Sequence, residues 1–187
     1  IYDQAVEIAA ETAAKVTVGS AGEEGRHIGP VVNAAQFEKI QGMIEKGIEE
    51  GARLIAGGPG RPEGMNRGYF IRPTVFADCN NDMTIMREEI FGPVLSMMPF
   101  DTEEEAIEIA NDTVYGLTNY VQTQDSTRAN RLARALRSGM VEMNGTSRGA
   151  GAPFGGMKQS GNGREGGLWG IEDFLEVKSV SGWKPDA

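Results

Sequence analysis

Glu89 and Phe91 stand two residues apart in Arg87-Glu88-Glu89-Ile90-Phe91-Gly92-Pro93-Val94, just before a Gly-Pro break and an apolar run. A carboxylate can accept hydrogen bonds from both hydroxyls of a sugar diol, and such bonds are charge-assisted. An aromatic ring beside it can lie against a flat heterocycle. Together they have the layout of a grip on a sugar and a ring at the edge of a sheet. The plainer reading of the same residues is a surface glutamate at a helix end and a core phenylalanine.

No plausible nucleophile accompanies this pair. Cys79, the single cysteine, sits in Ala77-Asp78-Cys79-Asn80-Asn81-Asp82. Acidic neighbours raise a thiol pKa and suppress the thiolate, so it reads as an inert cysteine. Gly145-Thr146-Ser147-Arg148-Gly149 spells a nucleophile elbow and follows a strand. Glycines rather than a helix come after it, however, and the only histidine, His27, lies far upstream. Gly161-Asn162-Gly163-Arg164-Glu165-Gly166 has the letters of a dinucleotide fingerprint. Lys158-Gln159-Ser160 precedes it where a strand is required, and no βαβ unit can be completed after it. One His and one Cys make no credible metal site. Arg128, Arg131, Arg134 and Arg137 precess around a helix and read as a solvated face.

The bulk composition narrows the classes further. The 187 residues suffice for one ordinary domain, and 40% hydrophobic with 24% charged residues is usual for a soluble globular protein. A net charge of −9, from 18 Lys+Arg against 27 Asp+Glu, argues against nonspecific binding to nucleic acid or an anionic membrane surface. The lone cysteine suits a reducing compartment, and neither a membrane span nor a signal-peptide pattern is visible. The expected location is cytoplasmic. Ile1 opens inside an amphipathic pattern, which reads as a piece of something longer.

The elements that must position Glu89 and Phe91 alternate between helix and strand. Residues 1–16 put Ile1, Ala5, Ile8, Ala9 and Thr12 on one helical face. A second helix runs from Asn33, a good N-cap, to Gly51, a good stop, with Phe37, Ile40, Ile44 and Ile48 as its apolar stripe. Strands are expected at 53–56 and within 69–77, where Pro73 suggests an edge or bulged strand. A short helix at 82–89 precedes the Gly-Pro break, and 94–100 reads as a strand covered on both faces. Then follow a helix at 103–111 capped by Thr102, a strand at 119–123, a helix at 126–138 and a strand at 140–144. The helix at 126–138 carries the stripe Ala129, Leu132, Ala133 and Leu136. From Gly139 to Gly170 there are eleven glycines. Such a stretch must run across a scaffold or approach a ligand with bare backbone. A helix near 168–174 and a strand over Glu176–Trp183 close the chain. This order argues for an α/β layered fold with a largely parallel sheet and flanking helices.

Five ordered motifs resemble those of the NAD(P)-dependent aldehyde dehydrogenase superfamily. Glu88-Glu89-Ile90-Phe91-Gly92-Pro93-Val94 resembles its E-E-x-F-G-P-V. Ala110-Asn111-Asp112-Thr113-Val114-Tyr115-Gly116-Leu117 resembles A-N-x-T-x-Y-G-L. Pro153-Phe154-Gly155-Gly156-Met157-Lys158-Gln159-Ser160-Gly161 resembles P-F-G-G-x-K-x-S-G, and Gly163-Arg164-Glu165 and Glu176-Val177-Lys178 resemble its closing elements.

The resemblance implies a set of roles. Glu89 would hold the hydroxyls of the nicotinamide ribose and Phe91 would pack near the nicotinamide, with the cofactor NAD or NADP. Gln36 and Lys39 resemble positions that contact its adenosine side. Glu165 resembles a proton relay toward the active-site water, and Phe154 part of the wall near the aldehyde tunnel, which residues 141–151 would line. The carbonyls of Lys158 and Gly161 resemble a monovalent-cation site. Residues 1–174 would be the C-terminal part of the catalytic domain, and 175–187 an oligomerisation strand and tail that pairs subunits into a homo-dimer or tetramer. In the family a cysteine thiolate attacks the aldehyde, hydride leaves to the cofactor, and activated water cleaves the thioester. The segment bearing that cysteine and the Rossmann domain would lie before Ile1, so this chain alone is expected to be inactive. Two alternatives stay open: a non-enzymatic interaction module, and a relative that transfers the acyl group to coenzyme A or reduces acyl phosphates.

Overall fold

The computed structural model describes residues 1–182 and Lys184. The chain forms two compact units, Ile1–Asp101 and Thr102–Ala187, each described separately.

The first unit is organised by α2 (Ala34–Glu49). Asn33 caps it as expected: its side-chain oxygen accepts from the Gln36 N–H at 2.9 Å. Beyond its end Gly51 takes φ +91°, a left-handed turn that glycine adopts without steric cost. Phe37, Ile40, Met43 and Ile44 enter the core with Ile71, Phe76, Met83, Ile85 and Ile90. Ile48, expected in this stripe, is 41% exposed. Gly47 takes its place, because Ile85 lies so close that a Cβ there would sit 2.9 Å from its Cδ1.

A three-stranded sheet packs beside α2. Its order is β1 (Arg53–Ala56), β2 (Thr74–Ala77), β3 (Val94–Ser96), with β1–β2 antiparallel and β2–β3 parallel. The expected edge strand, β2, is instead central and buried along its whole length. Pro73 lies just before its first residue and so removes no ladder bond, while the Thr74 N–H donates to the Pro93 carbonyl at 2.9 Å. A bulge is present in the pairing with β1, between Leu54 and Ala56. β3 is shorter than expected and is an edge strand, so Leu95 is half-exposed rather than covered on both faces.

Helix α1 (Tyr2–Lys15) packs on β1 and β2 with a different face from the one its apolar spacing suggests. Val6 is buried, Tyr2, Ala5, Ala9 and Ala13 are half-buried, and Ile1, Ile8 and Thr12 are exposed. The Tyr2 hydroxyl sets this rotation. It accepts from the Asp78 N–H at 2.7 Å and donates to the Met97 carbonyl at 3.3 Å. The short helix α3 (Thr84–Arg87) ends two residues earlier than expected because Glu88 is already extended.

In the second unit α4 (Glu103–Asn111) is capped by Thr102, whose hydroxyl accepts from the Glu105 N–H at 3.1 Å. Strands β4 (Thr118–Val121) and β5 (Met140–Met143) pair in parallel, with α5 (Ser126–Ala135) as the crossover between them. Asp125 caps α5, and Leu136 is already extended, so this helix stops three residues short of the expected Ser138. Ala129, Leu132 and Leu136 face inward, but Ala133 is exposed. Arg128 and Arg131 pair with Glu103 on α4. Helix α6 (Gly167–Glu172) follows the glycine-rich stretch. The fold is thus α/β as expected, its strands divided between two small sheets in which two of three pairings are parallel. Of the expected terminal strand, residues 176–182 pair with no strand among the described residues, and Trp183 lies outside them.

Candidate functional site

The segment between α3 and β3 is a hook held from behind. Ile90 points into the core and is 8% exposed, while Glu89 and Phe91 on either side of it face outward. Phe91 has φ +56°, a left-handed conformation that costs a residue with a Cβ about 1–2 kcal/mol. Gly92 lies against the Ile40 side chain, and a Cβ there would meet its Cδ1 at 2.6 Å. Three successive carbonyls of the hook accept hydrogen bonds from α2. Lys39 Nζ donates to the Glu89 carbonyl at 2.6 Å, and Gln36 Nε2 donates to those of Ile90 and Phe91 at 3.1 Å each.

The consequence is an outward presentation of two side chains from a fixed backbone. The Phe91 ring is 72% exposed, and the Glu89 carboxylate makes no hydrogen bond or ion pair among the described residues. Both line an open pocket of ≈ 370 Å³ with Met86, Ile90, Val94 and Ser96. The structure therefore brings Gln36, Lys39, Glu89 and Phe91 together. It also shows that Gln36 and Lys39 hold the hook, a role that sequence reasoning did not find. Their partners are backbone carbonyls more than fifty positions away or nearly so, which leave no mark in side-chain spacing.

The glycine-rich stretch of the second unit is built in the opposite sense, with its polar side chains turned inward. Lys158 Nζ donates to the carbonyls of Asn111 and Thr113 at 2.8 and 2.9 Å. The Ser160 hydroxyl accepts from the Gly116 N–H at 3.0 Å. Asn111 accepts from the Arg137 N–H at 2.7 Å and donates to the Ala135 carbonyl at 2.9 Å. Arg164 donates to the carbonyls of Gly156 and Gly163 at 2.7 and 2.9 Å. The glycines permit backbone to touch backbone: a Cβ on Gly139 would overlap the Gly155 carbonyl oxygen, and one on Gly116 would meet the Arg137 carbonyl oxygen at 2.8 Å. Bare backbone here crosses a scaffold.

Phe154 and Glu165 are joined by an antiparallel bridge, with N–H···O distances of 2.8 and 2.7 Å. The Glu165 side chain is exposed, and the Arg148 guanidinium lies 5.2 Å from the Phe154 ring centre. Lys158 and Gly161 bracket the 3-10 turn Lys158–Ser160, and the Lys158 carbonyl accepts from the Gly161 N–H at 3.3 Å. Residues of β5 and the following loop, among them Glu142, Asn144, Thr146 and Arg148, surround a pocket of ≈ 600 Å³.

The other candidate motifs do not form sites. Cys79 is 3% exposed within the core of the first unit. Burial pushes its thiol pKa up; a backbone hydrogen bond from Met97 opposes this in part, and the Asp78 charge adds a smaller upward push. His27 Nε2 lies 2.8 Å from the Ser20 carbonyl. Gly161–Gly166 follows the 3-10 turn instead of a strand, and the helix after it has six residues. No helix follows Ser147 directly. Among the described residues no group of three or more His, Cys, Asp or Glu could hold a metal ion. No helix there is long and apolar enough to cross a membrane.

The five motifs and this architecture are those of one family, and comparison with known proteins agrees. The model of the aldehyde dehydrogenase family matches residues 1–180. The chain belongs to that family. It superposes with a TM-score of 0.96 on a crystal structure of aldehyde dehydrogenase from Bartonella henselae, 57% identical, covering 98% of this chain and 38% of that one. With aldehyde dehydrogenase C of Pseudomonas syringae, a mutant solved with NAD+ and octanal, the TM-score is 0.95 and the identity 48%, over 100% of this chain and 38% of that one. A provisionally named aldehyde dehydrogenase of Staphylococcus saprophyticus is 52% identical over 173 residues, 92% of this chain. The chain spans 36% of that relative's length, about a third.

Proposed function

We propose that this chain is part of an NAD(P)-dependent aldehyde dehydrogenase that oxidises an aldehyde to a carboxylic acid, and that Glu89 and Phe91 hold the nicotinamide end of its cofactor. The observation that carries this reading is the outward presentation of both side chains by a hook fixed at three carbonyls. The residues fit the group. An unpaired carboxylate can accept from two vicinal ribose hydroxyls, and an exposed ring beside it can support a flat heterocycle. When bound, NAD(P)+ supplies the hydride acceptor. The solved NAD+ complexes of relatives support the dinucleotide.

The pocket lined by β5 and the loop after it takes the aldehyde. Phe154 follows Pro153, which lines this pocket beside β5, and a backbone bridge joins Phe154 to Glu165. Glu165 relays a proton toward the hydrolytic water. The carbonyls of Lys158 and Gly161 take a monovalent cation. Residues 1–174 serve the catalytic domain, and 175–187 pair subunits into a dimer or tetramer, a role supported by Val177 at 99% and Val180 at 69% exposure. The enzyme works in the cytoplasm. The chain alone does not turn over, since its single thiol is buried and kept protonated.

Steady-state kinetics of the full-length enzyme test this. Glu89→Gln and Phe91→Ala should each raise KM for NAD+ about tenfold, equivalent to about 1.4 kcal/mol, and leave KM for the aldehyde in place. An unchanged cofactor KM in both variants contradicts the reading. For the isolated chain, mixing with NAD+ and simple aldehydes should yield no NADH, and a single turnover would overturn the claim of inactivity.

A further inference from the structure

We infer that Gln36 and Lys39 are positioning residues: from one face of α2 they fix the backbone of Glu89–Phe91 and so aim the Glu89 carboxylate and the Phe91 ring. This rests on the reading of those two residues as the cofactor grip.

Phe91 occupies the left-handed region without the freedom of glycine, so it stays there only where its surroundings over-determine it. Ile90 and Gly92 clamp the hook against the core, but neither fixes the peptide planes between Glu89 and Phe91. Lys39 and Gln36 do, with a short charge-assisted bond to the Glu89 carbonyl and two bonds to the next two carbonyls. They stand one helical turn apart, i and i+3, and so reach the hook from a single face. Released from these donors, Phe91 can relax toward an extended conformation, which swings its own ring and the Glu89 side chain away together.

The same bonds are not needed to attach α2. That helix is held by buried Phe37, Ile40 and Ile44, whereas Lys39 is exposed. Their location behind the two outward side chains, rather than under the core, gives them a functional consequence that a general packing contact would lack.

A double-mutant cycle in the full-length enzyme separates positioning from direct cofactor contact. Lys39→Met should raise KM for NAD+ about tenfold with KM for the aldehyde unchanged, a split that a general loss of structure would not produce. Lys39→Arg, which keeps a cationic donor for the Glu89 carbonyl, should recover most of the loss. In a Glu89→Gln/Phe91→Ala background, Lys39→Met should add less than about twofold, because neither gripping side chain is left to aim. If its roughly tenfold effect instead persists in that background, Lys39 acts on the cofactor independently; the inference is then wrong although the grip stands. If Lys39→Met leaves KM for NAD+ unchanged, the inference also fails. An unaltered KM for NAD+ in both Glu89→Gln and Phe91→Ala removes the grip and the inference with it. Should Lys39→Met fail to fold, Gln36→Met, which removes the other donor at similar volume, carries the same cycle.

Discussion

The hook at Glu89–Phe91 and the glycine-rich stretch after Gly139 both carry family motifs, but they use them in opposite directions. In the hook the backbone is bound and the motif side chains are left free. In the glycine-rich stretch the side chains of Lys158, Ser160 and Arg164 are bound and the backbone is what they hold. A recognisable motif therefore does not say whether its residues meet a ligand. The direction of the hydrogen bonds says it: donors that stop at the chain's own carbonyls build architecture, and groups left unpaired at an exposed edge are available to something else.

That contrast can be broken or sharpened by substitution. The largest effect should come from Gly139→Ala, whose Cβ would overlap the Gly155 carbonyl. It should lower stability by about 3 kcal/mol in chemical denaturation, whereas Gly149→Ala, with open space around it, should stay within about 0.5 kcal/mol. Equal responses would show that the glycines are not there for backbone packing. Lys158→Met removes two charged donor bonds and should cost about 2 kcal/mol, with KM for NAD+ unchanged in the full-length enzyme. A raised cofactor KM with unaltered stability would place Lys158 among the ligand-facing residues instead. Phe91→Gly should move the other way, keeping or raising stability by about 0.5 kcal/mol as the left-handed strain is relieved, while the cofactor KM rises. A clear loss of stability would mean that the exposed ring packs more than the structure shows.

The smallest effect concerns acid. Glu50 has its pKa lowered chiefly by the Thr84 hydroxyl and then by the Thr84 N–H, at 2.7 and 2.6 Å. Glu103 has its pKa lowered by Arg131 first and then Arg128. A carboxylate whose pKa is depressed by folding contributes stability that is complete above its unfolded value, here near 4.5, and lost as pH falls through the folded value. Both units should therefore weaken below pH 4.5, and Glu50→Gln and Glu103→Gln should each flatten that limb. High salt should screen the Glu103 contribution and leave that of Glu50, whose main partners are neutral. Equal salt sensitivity would contradict these assignments.

Much of the fold was legible because its signals are local. Asn33 and Gly51 bound α2 by chemistry that acts within one turn, and Thr102 does the same for α4. The rotation of α1 was not legible, because it is set by Tyr2 meeting Asp78 and Met97. Nor was the central place of β2, since Pro73 proves harmless only once the Pro93 carbonyl is seen opposite Thr74. In the candidate site, Glu89 and Phe91 could be picked out by residue type and order. The positioning function of Gln36 and Lys39 could not, because acceptor carbonyls carry no sequence identity.

The two regions differ most sharply in which of them should meet the dinucleotide. Titrating NAD+ into this chain, isotopically labelled, and following backbone amide shifts by NMR addresses that directly. Saturable perturbations with a Kd of about 1 mM or weaker should centre on Glu89–Gly92. Perturbations centred on Gly161–Gly166, or none at the hook at saturating NAD+, would contradict it.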